Sequence, residues 1–82
     1  MVQVRENTGF VCEFDHKKII SSISKVTPDM EMSTQKYKRV VEIVIENIKD
    51  LEVIDSSVLR TIVEQALCEV DYTVAQLYKK NI

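Results

Sequence analysis

DSSVLRTIVEQALCEV, residues 55–70, is the stretch on which the fold is organised. Leu59, Ile62, Val63, Ala66, Leu67 and Val70 fall at i, i+3, i+4, i+7, i+8 and i+11, the apolar stripe of a helix lying on a core. Asp55 stands where an N-cap belongs, because its carboxylate can accept from the free N–H groups of the first turn. This central helix needs partners on both sides of it in sequence.

Upstream, Leu51-Glu52-Val53-Ile54 is too short to be a helix and alternates, so it either adds a short strand or crosses to the central helix. Before it, Ser33 caps a second helix in which Tyr37, Val40, Val41, Val44, Ile45 and Ile48 repeat the apolar period. Arg39, Glu42, Glu46 and Lys49 form its solvated face, with weak i, i+3 pairs. Thr27-Pro28-Asp29 ends an earlier helix, and Met30 to Met32 connect the two. That first helix starts at the N-cap Asp15, with Phe14 placed to close on Ile19 as a hydrophobic staple, and runs to about Val26 over buried Ile19, Ile20 and Ile23. Met1 to Glu13 reads as a hairpin: Val2 and Val4 share one face, Phe10 and Cys12 another, and Asn7-Thr8-Gly9 tolerates positive φ. After Val70, Asp71 restarts the chain into a last helix marked by Val74, Ala75 and Tyr78 and ending in Lys79-Lys80-Asn81-Ile82. An end so soon after a helix is expected to mark a domain boundary or a trimmed chain.

The expected class is therefore α+β: a small bundle of about four helices capped by a β-hairpin, with a short third strand as an option. At 82 residues and 45% hydrophobic content, the whole chain, 1–82, is expected to be one domain with a small core. A single Gly and a single Pro argue against a loop-rich fold. No apolar run reaches membrane-spanning length and no charged-then-apolar leader is present, so the expectation is a cytoplasmic protein without a membrane partner. Cys12 and Cys68 lack CxxC spacing and read as reduced thiols, with a disulfide or metal pair as the lesser reading. A formal net charge of −2 removes the broad attraction on which nonspecific nucleic-acid binding depends.

The chemistry-bearing residues are few. His16 is the sole histidine and has no recognisable nucleophile or metal partner, so catalysis by this chain alone is not expected. His16, Lys17 and Lys18 occupy the first helical turn, where the partial positive charge would favour acids. Two lysines and free N–H groups beside a glycine turn suit an anion such as phosphate. On these residues alone the plainer reading is favoured, that both lysines point into water at a cost of only a few tenths of a kcal/mol each.

Taken in order, these pieces resemble the ATP-cone, a regulatory nucleotide-binding module of ribonucleotide reductase large subunits and of the bacterial repressor of reductase genes. The resemblance rests on a strand and turn ending in Gly9, Phe14-Asp15 with Lys18-Ile19, Asp55-Ser56-Ser57-Val58, Ile62-Val63-Glu64, Ala66-Leu67, and Tyr72-Thr73-Val74-Ala75 leading to Tyr78. It covers nearly the whole chain. It implies that ATP or dATP, with magnesium, binds between the hairpin and the first and central helices. Arg5, Lys17, Lys18 and the N–H groups around Gly9 would hold phosphate, Val4, Phe10 and Val11 would flank the base, and Asp55 would lie near the base and ribose.

The turn departs from the family's Lys-Arg-Asp-Gly pattern. Aligned through Gly9 without a gap, Glu6 and Asn7 stand at the Lys and Arg positions and Thr8 at the Asp. With a turn one residue longer, Arg5 replaces the lysine and Glu6 the arginine. Leu59 is also more apolar than the polar contact expected of that helix face. Each lost charge-assisted hydrogen bond is worth roughly 1.5–3 kcal/mol, so one or two losses weaken triphosphate binding on the order of tenfold to several thousandfold. Two roles follow: an allosteric domain sensing ATP or dATP with weakened affinity, or a degenerate cone acting as an interaction or oligomerisation module. Either would partner the remainder or another subunit of a ribonucleotide reductase, or a second copy of itself. Repression is disfavoured, because two separated cysteines cannot supply the four ligands of the zinc ribbon that accompanies the cone in that repressor.

Overall fold

The computed structural model describes residues 2–27 and 32–80. Among them are three short strands and four helices: β1 (Gln3–Arg5), β2 (Val11–Glu13), α1 (His16–Val26), α2 (Thr34–Ile48), β3 (Val53–Asp55), α3 (Ser56–Val70) and α4 (Tyr72–Lys80). The expected Met30–Met32 connection lies outside the described residues except for Met32, which is buried. The expected ends at Met1 and at Asn81-Ile82 also fall outside them.

The sheet order is β2-β1-β3, with β1 antiparallel to β2 and parallel to β3. Val4 faces Cys12 on one side and Ile54 on the other, so the central strand is registered by residues that point inward. The segment left between strand and crossover is thus a strand, continued by a bond from the Gln3 N–H to the Glu52 carbonyl at 2.9 Å. Around the hairpin turn, the Glu6 N–H donates to the Phe10 carbonyl at 2.7 Å and the Gly9 N–H to the Glu6 carbonyl at 2.9 Å. Gly9 adopts φ +88°, a conformation in which a Cβ is strained. Phe10, expected to share a face of the second strand with Cys12, lies outside β2 and is 68% exposed. The strand starts one residue later, after the turn has closed.

The helices bury the residues their period selects. Val63, Ala66 and Leu67 of α3 are buried, while Leu59, Ile62 and Val70 pack half-buried along the flank of the core. Val40, Val44 and Ile48 of α2 face them, and Ile19 and Ile23 of α1 complete that side, with Ile20 half-buried. Ile45, assigned to the core by spacing, is instead 42% exposed. One residue beyond Val44, it is turned about 100° from that direction, and half-buried Ile43 packs against the core from the opposite flank. From α4, Val74, Ala75 and Tyr78 are buried against α3.

Three helix starts are capped by side chains. Asp15 Oδ1 accepts from the Lys17 N–H at 2.9 Å, Ser33 Oγ from the Lys36 N–H at 3.3 Å, and Asp71 Oδ1 from the Val74 N–H at 3.3 Å. Asp55 holds the N-cap position of α3 with extended backbone, φ −71° and ψ 142°, yet its side chain makes no capping bond. It faces Arg5, its register partner across β1 and β3, at 3.7 Å. The chain's strongest sequence signal for a helix start is therefore positioned as expected and used differently. No helix among the described residues is long and apolar enough to cross a membrane.

Candidate functional site

The hairpin, α1, α3 and the end of α4 enclose a cavity of about 190 Å³. Its position follows from the sheet. Because side chains alternate across a strand, Val4 and Glu6 come to the cavity and Arg5, between them, does not. From β2 and the chain entering α1, Cys12, Glu13, Phe14 and Asp15 close the near side, and Lys18, Ile19 and Ser22 continue it along α1. From α3, Ser56, Leu59, Arg60 and Val63 form the facing wall, spaced i, i+3, i+4 and i+7 on one helical face. Tyr78 of α4 contributes its ring.

This wall is apolar in its body and charged among its polar residues. Val4, Phe14, Ile19, Leu59 and Val63 provide a surface on which a flat, partly apolar group such as a purine can pack. Glu6, Glu13 and Asp15 supply three carboxylates against two cations, Lys18 and Arg60. Lys18 Nζ sits 3.9 Å from the Cys12 sulfur, its one hydrogen-bonded side-chain contact. Burial pushes the Tyr78 phenol above its ordinary pKa, partly opposed by a hydrogen-bonding interaction with Ser22 and the nearby Arg60 charge. Tyr78 therefore stays neutral and keeps its O–H near neutral pH.

A volume of about 190 Å³ is below the roughly 300–1,000 Å³ common for small-molecule sites. It suits part of a nucleotide, such as the base, with the phosphates reaching the charged rim. Apolar walls and adjoining cations are the donor set such a ligand requires, while the carboxylates oppose a highly charged phosphate chain.

Of the residues expected to bind nucleotide, the structure brings Val4 and Lys18 to the cavity. Arg5, Gly9, Phe10, Val11, Lys17 and Asp55 lie outside its lining. Arg5 and Asp55 pair with one another, and the Gly9 N–H is engaged by its own turn. The start of α1 is also occupied: Asp15 accepts the Lys17 N–H through its side chain, and its carbonyl accepts the Lys18 N–H at 3.0 Å. The backbone N–H groups of Gly9, Lys17 and Lys18 are thus bonded internally in this structure, and Arg5 is paired with Asp55. Glu13, Phe14, Arg60 and Tyr78 were not anticipated as lining residues. The signal for Arg60 was present, since it shares a helix face with Ser56 and Val63.

Among the described residues, no group of three or more His, Cys, Asp or Glu is arranged to hold a metal ion, and Cys12 and Cys68 are free thiols. A search of curated proteins returned no match to the chain. The family model described as the ATP cone domain matches residues 2–79, spanning both hairpin strands and reaching into the last helix. The chain belongs to the ATP-cone family, whose members are regulatory, nucleotide-sensing domains rather than catalysts.

Proposed function

We propose that this chain is the regulatory cone of a ribonucleotide reductase and that it senses ATP or dATP, with magnesium, at the cavity between the hairpin, α1 and α3. The observation carrying this reading is a cavity lined both by apolar side chains, Val4, Ile19 and Leu59 among them, and by Lys18. The base occupies the space between Val4, Ile19 and Leu59, and Lys18 meets the phosphates. Affinity is lower than in a cone with a basic turn, because Glu6 borders the same space and the Gly9 N–H is bonded within its own turn. Occupancy regulates by favouring one of two docking states of the parent assembly, which requires different nucleotide affinity in each.

Cys12 supplies the test, because it lines the cavity whereas Cys68 is exposed on α3. Magnesium ATP should slow maleimide labelling of Cys12 in proportion to occupancy and leave Cys68 labelling unchanged. Equal rates with and without ATP at both thiols would overturn the nucleotide reading.

The second reading is a cone that keeps the fold and acts only as an interaction or oligomerisation module. It draws on the three carboxylates around the cavity and on exposed Phe10 and Tyr72, at 68% and 66%. It predicts self-association or docking that nucleotide does not change.

A further inference from the structure

We infer that Arg60, on α3, is a phosphate-binding residue of this cone and works with Lys18 from α1 to hold the ligand's phosphate. The inference rests on the nucleotide reading above and adds to it the cation that the hairpin turn lacks. The chain has three arginines. Arg5 pairs with Asp55 at 3.7 Å and Arg39 with Glu42 at 3.5 Å, whereas the Arg60 side chain makes no hydrogen bond or ion pair among the described residues and acts only through its charge on nearby Tyr78. It is also the one of the three that lines the cavity.

Position and chemistry agree. Arg60 is exposed, so its planar fork of donors stays hydrated and mobile until an anion arrives. Its neighbours on the same helix face, Leu59 and Val63, belong to the apolar wall, so a ligand packed on that wall brings its charged end within the reach of Arg60. Lys18 approaches the same space from α1 and is not paired with a carboxylate. Glu6, Glu13 and Asp15 also border this space, and they raise the need for a second cation if any phosphate is to be held there. A guanidinium is suited to this role because it can bind two phosphate oxygens at once. The same arrangement gives the site a preference: ligands with phosphate gain from Arg60, and a bare nucleoside does not.

The test is calorimetric titration of the full chain with magnesium ATP and, separately, with adenosine, for the unaltered chain, Arg60→Gln and Arg60→Lys, with circular dichroism to verify folding. Arg60→Gln should weaken ATP binding roughly 10- to 100-fold and change adenosine binding by less than about twofold. Arg60→Lys should fall between, since the charge remains and the bidentate geometry is lost. If the unaltered chain binds ATP and Arg60→Gln binds it equally well, the Arg60 assignment is overturned and the nucleotide reading stands. If Arg60→Gln weakens ATP and adenosine alike, Arg60 contacts the nucleoside and the phosphate assignment fails. If the unaltered chain gives no heat with ATP, both inferences fall together.

Discussion

The guanidinium of Arg5 lies 3.7 Å from the carboxylate of Asp55, its parallel-register partner on the next strand, and neither side chain lines the cavity. The family resemblance had placed both residues with the ligand. Alternation along β1 sends Arg5 to the other face from Val4, and the pairing draws the Asp55 carboxylate away from the first turn of α3. Arg5→Gln should therefore leave ATP affinity within about threefold of the unaltered chain. Both side chains are more than half exposed, so the loss of stability should be only about 0.2–1 kcal/mol, read from urea unfolding.

A second ion pair ties α2 to the start of α4. Lys36 Nζ donates to Asp71 Oδ2 at 2.9 Å, while the other carboxylate oxygen of Asp71 caps the Val74 N–H. The Lys36 hydrogen bond, aided by the cap, holds the Asp71 carboxyl below its ordinary value of 3.8. A depressed folded-state pKa gives a contribution that is complete above the ordinary value and lost as pH falls through the folded one. Lys36→Gln should lower stability near neutral pH, and its difference from the unaltered chain should shrink toward zero as pH falls through the lowered folded-state value. Thermal melts across that range check the direction. Asp71→Ala removes the cap as well and should cost roughly 0.5–2 kcal/mol near neutral pH.

The core makes a sharper contrast within α3. Leu67 is fully buried, whereas Val58, on the same helix, is 49% exposed. Leu67→Ala should cost about 2–5 kcal/mol, and Val58→Ala under about 0.5 kcal/mol. Similar losses in chemical denaturation would mean that α3 presents a different face to the core.

Gly9 is the one described residue at positive φ, and no atom lies within 4 Å of where a Cβ would sit. Any cost of Gly9→Ala is thus conformational rather than steric crowding by neighbours. It should be about 1–2 kcal/mol, with Gly9→Asn costing less because Asn visits the left-handed region more readily. Unfolding free energies of the two variants decide the order.

The fold was legible where one rule acts over several turns. Apolar spacing located α1, α2, α3 and α4, and Asp15 and Ser33 cap as their positions suggested, while the cap supplied by Asp71 emerged only from the structure. Rules that act over one or two residues were harder to apply. Ile45 satisfies the helical period and still lies outside the core, because the stripe is narrower than the set of residues that fit it. Leu51 to Ile54 contains too few residues for alternation alone to separate a strand from a crossover; pairing with β1 decides it.

The candidate site was less legible because it is assembled from both kinds of element. Val4 and Lys18, named through the family resemblance, do line the cavity, but Arg5's absence from it follows only from the strand's alternation, and Arg60 required reading α3 for its second, cavity-facing side. Contacts from Glu13 and Tyr78 depend on how the hairpin and α4 meet, a long-range packing relation with no local sequence signal.

The most direct measurement is a calorimetric titration of the full chain with ATP and magnesium. The account predicts saturable heat with a Kd on the order of millimolar or tighter, weakened at least about tenfold by Lys18→Glu. Absence of heat at several millimolar ATP, from a chain shown to be folded, would contradict nucleotide sensing and leave an interaction module as the role of this cone.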